Sequence, residues 1–81
     1  MKKIVFGEKK NLVSKNLKLL RVKRGMTQEQ LAVKMQLLNV NIDQQMISKI
    51  ENNNRIVTDY ELVCFSKVLK VDIKELLKEN E

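Results

Sequence analysis

The sequence predicts an all-α fold, built as one compact domain of five helices. The chain of 81 residues has no proline and two glycines, and it is rich in Lys, Leu, Glu and Gln, which are good helix formers. Its 43% apolar and 32% charged residues are typical of a globular chain. Three helix-start signals follow one another, each a Thr or Asp with Gln or Glu three residues later. A chain of this length forms a single small domain.

The first helix is predicted from about Lys10 to Arg24. Gly25 ends it, because glycine readily takes the left-handed conformation that closes a helix. Its apolar stripe repeats at helical spacing and is widened by two further leucines. The stripe consists of Val13, Leu17 and Leu20, with Leu12 and Leu19 at its sides.

The second helix opens at Thr27, which forms a capping box with Gln30, and ends at Asn39 or Asn41. Its apolar face consists of Leu31, Ala32, Met35 and Leu38.

The third helix covers residues 43–53. Asp43 is a suitable N-cap, and Asn53 is the left-handed residue at the end. Ile47 and Ile50 are spaced to face the core.

Two more capping boxes, Thr58 with Glu61 and Asp72 with Glu75, begin the fourth and fifth helices. The inner face of the fourth consists of Leu62, Phe65, Ser66 and Leu69, and that of the fifth of Ile73, Leu76 and Leu77. We expect residues 1–9 to form a basic N-terminal arm, ordered or disordered, and residues 10–81 to form the domain.

The net charge of +6 is unevenly distributed. Residues 1–26 hold nine basic side chains and one acidic one, a net +8, whereas residues 27–81 carry a net −2. A basic end on a small chain favours a polyanionic partner, most often nucleic acid. The alternative is a lysine-rich tail that is simply solvated.

Catalytic and metal-binding residues are scarce. There is no histidine, no Gly-rich phosphate loop and no Ser-His-Asp set, so we expect neither an enzyme nor a metal, cofactor or small-molecule ligand. Asp59 and Glu61 fall in a first helical turn, where carboxylates serve the cap and the helix dipole. The single Cys64 lies in an apolar helical stretch and is predicted to be a core thiol.

No targeting or membrane segment is evident. No apolar run approaches the ~18 residues of a membrane span. The apolar stretch Ile4-Val5-Phe6 is shorter than the core of a signal peptide, so we expect a cytoplasmic protein without membrane partners.

Two adjacent glutamines, Gln44 and Gln45, stand in the first turn of the third helix. The N-terminal end of a short exposed helix is what enters the major groove in helix-turn-helix proteins. A glutamine amide carries a donor and an acceptor side by side and can pair with adenine N6 and N7. The alternative is that both are exposed polar residues at a helix start.

The pattern "LLRVKRGMTQEQLAVKM … ISKIENNNR … ELVCFSKVLKVDIKELL" strongly resembles the Cro/repressor helix-turn-helix family, often called the Xre-like regulators. The match extends from about Val13 to Leu77. The resemblance implies a five-helix Cro/repressor-like domain in which helices 2 and 3 read DNA. It assigns base contacts to Gln44, Gln45 and Lys49. It assigns contacts with the DNA backbone to Gln28, Asn52, Asn53, Asn54 and Arg55.

The resemblance also implies a structural ion pair between Arg21 and Glu51. The residues themselves agree, because Glu51 directly follows the core residue Ile50 and a half-buried carboxylate needs a cation. The alternative is a loose surface pair.

The sequence departs from the family pattern in two places. The connection "QLLNVNIDQQM" is several residues longer than the family turn, so that either helix 2 extends through Leu37 and Leu38 or the loop bulges. Lys70 stands where the family has glycine, and a left-handed lysine costs about 1 kcal/mol.

The sequence therefore favours a repressor-like transcriptional regulator that binds double-stranded DNA in a sequence-specific way, as a homodimer on two half-sites. The alternative is a protein-interaction module, such as the antitoxin of a toxin–antitoxin pair, in which Ile4-Val5-Phe6 adds a strand to a partner or to its own dimer mate. Duplex binding that weakens steeply with salt separates the two.

Overall fold

The computed structural model describes residues 9–79, and within them the chain forms five α-helices and no strand. The helices are α1 (Ser14–Lys23), α2 (Gln28–Leu37), α3 (Gln44–Glu51), α4 (Asp59–Leu69) and α5 (Ile73–Leu77). The all-α prediction with five helices is confirmed. Most of the predicted arm, including Ile4-Val5-Phe6, lies outside the described residues. No helix within 9–79 is long and apolar enough to cross a membrane.

The helices pack so that α3 lies against both α1 and α2, while α5 contacts α1 and α4, and α4 also contacts α2. One apolar core fills the space between them. Its largest fully buried side chains are Phe65, Leu17, Leu31, Met35, Ile42, Ile47, Ile50, Leu69 and Leu76. Cys64 is buried in the same core, as predicted. Helix α3, one of the two helices that the resemblance expects to read DNA, therefore packs on the core through its inner side.

Three helices begin with a side-chain cap that spans three residues. The oxygens of Thr27, Asp43 and Thr58 accept the backbone N–H three residues later, at 3.0, 2.8 and 3.1 Å. The predicted reciprocal bonds run from Thr27 N–H to Gln30 Oε1 and from Thr58 N–H to Glu61 Oε1. At Asp43 the backbone N–H donates to Met46 Sδ in the same way, at 3.4 Å. These side chains satisfy N–H groups that a helix start otherwise leaves unpaired.

The third predicted capping box, Asp72 with Glu75, is wrong. Asp72 Oδ1 instead accepts the N–H of Lys74, at 3.0 Å. The carboxylate of Glu75 lies 3.4 Å from Lys78 Nζ. The cap of the short helix α5 therefore spans two residues, and Glu75 pairs along the helix surface.

Four helices end in the same backbone motif, with one left-handed residue followed by an N–H that bonds five residues back. The left-handed residues are Gly25, Asn39, Asn53 and Lys70, with φ of 72, 65, 62 and 57°. The bonds run from Met26 to Arg21, Val40 to Met35, Asn54 to Lys49 and Val71 to Ser66. This is the Schellman arrangement, which satisfies the last carbonyls of a helix. The predictions for Gly25, Asn53 and Lys70 are confirmed, and Asn39 rather than Asn41 ends α2.

The predicted apolar stripes are too wide. Leu12, Leu19, Leu38 and Leu77 are substantially exposed, Leu19 at 62%. Leu12 precedes α1, which begins only at Ser14, and Leu38 follows Leu37, the last residue of α2. Leu19 lies within α1, but it stands two residues from buried Leu17, about 200° around the helix, and so on the outer face.

Both possibilities for the long connection hold in part, because α2 includes Leu37 and is capped at Leu38, and the residues after Asn39 form the loop. Val40 and Ile42 of this loop are only 4% and 1% exposed and belong to the core, whereas Leu38 does not.

A second ion pair joins the loop after α3 to the start of α4. Arg55 Nη1 and Nη2 donate to Glu61 Oε1 and Oε2 at 2.9 and 3.0 Å, and Nη1 also donates to the Ile56 carbonyl. Burial by itself raises the pKa of Glu61, but the hydrogen bonds from Arg55 and Thr58 outweigh it and the pKa is lowered. The same hydrogen bond raises the pKa of Arg55. The charged form of this pair is thus favoured in the folded domain.

The lowered pKa of Glu61 predicts a dependence of stability on pH. A carboxyl whose pKa is lower when folded adds stability above its ordinary pKa of 4.5, and this stability is lost as pH falls through the lowered value. Glu61→Gln keeps an amide oxygen for the cap but removes the charge. We expect it to cost about 1–3 kcal/mol at pH 7 and progressively less in acid. Urea unfolding at pH 7 and pH 3 measures this, with exposed Glu75→Gln as the control. An equal cost at both pH values would contradict the assignment.

The left-handed Lys70 predicts that the fold can be stabilised. Lys70→Gly removes the steric cost of a side chain at φ 57° and should raise the unfolding free energy by about 1 kcal/mol. For a domain of this size that is a rise in Tm of roughly 4–8 °C. Asn39→Gly is the matched control and should gain less, because asparagine tolerates this conformation better than lysine. Equal gains at the two positions would refute the explanation.

Candidate nucleic-acid interface

Helix α3 has one buried and one exposed face. Ile47 and Ile50 are fully buried, whereas Gln44, Gln45 and Lys49 are exposed. Asp43 caps the helix at the end where the two glutamines stand. The three residues predicted to contact bases therefore share an outward surface on a helix that is fixed from behind.

Beneath this surface lies the ion pair between Arg21 and Glu51. Arg21 Nε donates to Oε2 at 2.7 Å and Nη2 to Oε1 at 3.1 Å, with 10% and 3% of the two side chains exposed. Arg21 Nη1 also donates to the Met26 carbonyl, at 2.8 Å. The pair therefore joins α1, the turn after it and the last residue of α3.

A line of hydrogen bonds leads from this pair to the surface. Gln28 Nε2 donates to Glu51 Oε1 at 2.9 Å, and Gln44 Nε2 donates to Gln28 Oε1 at 2.6 Å. An ionised carboxylate can only accept, so Gln28 must turn its nitrogen towards Glu51 and its oxygen towards Gln44. Gln44 then donates one N–H to Gln28, and its oxygen and second N–H remain at the exposed N-terminal end of α3. We call this chain, Glu51–Gln28–Gln44, the amide relay.

The loop after α3 divides into two kinds of residue. Asn52 and Asn54 are exposed, as expected of residues that meet a ligand. Asn53 and Arg55 have partners inside the protein: Asn53 Oδ1 accepts from the backbone of Lys10 and Asn11, and Arg55 pairs with Glu61. Those two residues therefore serve the fold, whatever else they contact.

Asn11 is a residue that the sequence patterns do not single out. Its Nδ2 donates to the carbonyls of Ile50 and Arg55, at 3.0 and 2.9 Å, and its Oδ1 accepts from Val13. An asparagine three residues before the first residue of a helix is a local signal for this last bond. The bonds to Ile50 and Arg55 have no local sequence signal, because these partners lie about forty positions away. The same contacts explain why α1 begins after Val13 and not at Lys10.

The surface of α3 offers two amides and one cation, and the described part of the chain holds no group of three or more metal-ligating side chains. Amides present paired donors and acceptors, and lysine presents a charge. Such groups suit hydrogen bonding to base edges and phosphates.

The buried ion pair predicts a large cost for Glu51→Ala. Removing one partner leaves the guanidinium of Arg21 buried without its carboxylate, which costs about 3–5 kcal/mol. We expect Tm to fall by more than about 10 °C in thermal unfolding followed by circular dichroism. Exposed Glu29→Ala in the first turn of α2 is the control and should change Tm little. A Glu51→Ala variant that melts within about 2 °C of wild type would show that the pair adds no stability.

Known proteins share this fold and, in one case, about a third of the sequence. A helix-turn-helix family model, HTH_3, matches residues 17–76. The crystal structure of the hypothetical transcription factor NHTF from Neisseria superposes with a TM-score of 0.73 at 21% identity, over 95% of this chain and 83% of that one. A mutant of the restriction-modification controller protein C.Esp1396I superposes with a TM-score of 0.65 at 35% identity, over 99% of this chain and 100% of that one. No curated protein matches the chain.

The likeness to the Neisseria protein concerns the fold alone, whereas the other two comparisons concern the sequence as well. The family model spans α2 to α4 completely and takes in most of α1 and α5. The chain belongs to the Cro/repressor (Xre-like) helix-turn-helix family of DNA-binding transcriptional regulators.

Proposed function

We propose that this protein is a sequence-specific regulator that binds double-stranded DNA with α3 in the major groove. The observation that carries the proposal is the amide relay, in which a buried carboxylate sets the direction of an exposed glutamine amide at the start of α3. A glutamine that served only as an exposed polar residue at a helix start would not need a hydrogen-bonded connection to a buried carboxylate.

The relay supports a particular base preference. Gln44 keeps one N–H and its oxygen, which match N7 and the N6 amino group of adenine. Guanine offers two acceptors at the same edge and fits a single amide less well. Gln45 stands beside Gln44, and Lys49 lies one turn further on, where a cation suits guanine O6 and N7.

The contacts with the DNA backbone are also proposals. Exposed Asn52 and Asn54 can donate to phosphates directly. For Gln28, Asn53 and Arg55 a phosphate contact has to coexist with the bonds that these side chains make inside the domain. We therefore give Asn52 and Asn54 the principal role in this loop.

Assembly and biological role follow from the small size of the reading surface. One domain contacts few base pairs, so we propose a homodimer on two half-sites about 34 Å apart, acting in the cytoplasm as a repressor-like regulator. The similarity to a restriction-modification controller protein makes control of such a gene system a candidate role. The alternative is an antitoxin that binds a partner protein, and the segment suited to adding a strand to it, Ile4-Val5-Phe6, lies outside the described residues.

The proposal predicts that the two glutamines matter for discrimination and not for folding. Gln44→Ala with Gln45→Ala should melt like wild type, because both residues are exposed and alanine is the better helix former. Its preference for the operator should fall by about 1–3 kcal/mol for each bidentate base pairing that the substitutions remove. The salt dependence should stay the same, because every phosphate contact is retained.

A selection on random duplexes first supplies the operator, and titrations against operator and scrambled duplex at two salt concentrations then measure both quantities. Exposed Lys67→Ala serves as the surface control. A double variant that keeps the full preference for the operator would show that α3 reads bases through other residues. A wild-type protein that binds no duplex, or binds without salt dependence, would favour the antitoxin alternative.

A further inference from the structure

The segment before α1 is tied to the loop that follows α3. Asn53 Oδ1 accepts from the backbone N–H groups of Lys10 and Asn11, at 2.9 and 3.1 Å. In return, Asn11 Nδ2 donates to the carbonyls of Ile50 and Arg55. Four hydrogen bonds between two side chains and two backbone segments form what we call the asparagine clamp, Asn11 with Asn53.

The position of the asparagine clamp is fixed by the backbone motif that ends α3. Asn53 is the left-handed residue of the Schellman motif, and the following Asn54 N–H bonds to the Lys49 carbonyl at 2.7 Å. Its side-chain oxygen is therefore fixed relative to the last turn of α3. Because the backbone N–H of Lys10 bonds to this oxygen, Lys10 lies beside the C-terminal end of α3, the helix proposed to read DNA.

Exposed lysines surround the asparagine clamp. Lys9 and Lys10 are exposed at the clamp, and Lys15 is exposed in the first turn of α1. Lys9, Lys15 and Lys78 line a cleft of about 310 Å³ that also borders both clamp asparagines, and Glu79 is the one acidic residue among those lining it. The N-terminal third of the sequence, residues 1–26, carries a net +8. Such a surface attracts an anion with closely spaced charges.

We propose that Lys9, Lys10 and Lys15 form a second DNA contact, made to phosphates that flank the bases read by α3. The inference rests on the proposed function, since it places the lysines beside the same duplex. Charge complementarity and continuity with the exposed Asn52 and Asn54 support DNA as the partner. The lysines supply affinity without sequence preference, because phosphates are the same at every step of the duplex.

The test uses the full chain with Lys9→Gln, Lys10→Gln and Lys15→Gln combined. Each phosphate contact that is removed should lower the slope of log affinity against log salt by about 0.9, up to ~2.7 for all three. Affinity for operator and scrambled duplex should fall by the same factor, leaving their ratio unchanged. The control carries Lys34→Gln, Lys67→Gln and Lys74→Gln, three exposed lysines on α2, α4 and α5, and removes the same charge. It should keep a slope close to wild type.

A second variant tests the clamp itself. Asn53→Gly keeps a residue that favours the left-handed conformation but removes the oxygen that binds Lys10 and Asn11. With every lysine present, its salt slope should still fall by about 1 unit. A slope equal to wild type would refute the role of the clamp.

The outcomes separate this inference from the proposed function. If wild type prefers its operator but the lysine triple variant keeps the wild-type slope, or matches the control triple, the second contact is refuted and the reading of bases by α3 stands. If wild type binds no duplex at any salt concentration, both fail together.

Discussion

The carboxylate of Glu51 is almost completely removed from water, and the arrangement of the domain around α3 depends on how it is neutralised. Taking a carboxylate and a guanidinium out of water costs several kcal/mol each, by order of magnitude, and only good geometry recovers it. Arg21 provides that geometry with two hydrogen bonds and uses a third to hold the Met26 carbonyl. Helix α1, the turn after it and the end of α3 are thus positioned by one charge. Because the carboxylate can only accept hydrogen bonds, it fixes the orientation of the Gln28 amide, which in turn fixes that of Gln44. The buried charge thereby determines which groups the exposed amide of Gln44 presents.

The local parts of this fold are predictable, because the residues that start and stop helices act over a few positions. Thr27 and Thr58 with their capping partners, and Gly25 and Asn53 at helix ends, behave as their sequence neighbourhoods indicate. The apolar stripes are less predictable. A predicted stripe can run past the true end of a helix, as it does at Leu12 and Leu38, or be widened onto the outer face, as it is at Leu19. The burial of Val40 and Ile42 depends on a loop path that periodicity does not describe.

The same distinction applies to the candidate site. The exposure of Gln44, Gln45 and Lys49 follows from the buried positions of Ile47 and Ile50 on one short helix, and the sequence indicates it directly. The partners of Asn53 and Arg55 do not follow in that way. Asn53 is satisfied from the segment before α1, and Arg55 by a glutamate whose sequence position indicates only a cap. Amide and guanidinium groups in a loop are equally suited to a ligand or to the protein itself, and only the tertiary arrangement decides between them.

The connection between α2 and α3 is attached to the core and is not merely a spacer. Val40 and Ile42 are buried, and Gln36 Nε2 donates to the Ile42 carbonyl at 2.9 Å. Between these anchors, Asn41 is exposed to solvent. The direction of α3 relative to α2 is therefore set by the packing of these two buried side chains. Because only one residue separates them, an insertion or deletion at Asn41 would move Val40 or Ile42 out of the core. The exposed side chain at position 41, in contrast, can change without disturbing the angle at which the opening turn of α3 is presented.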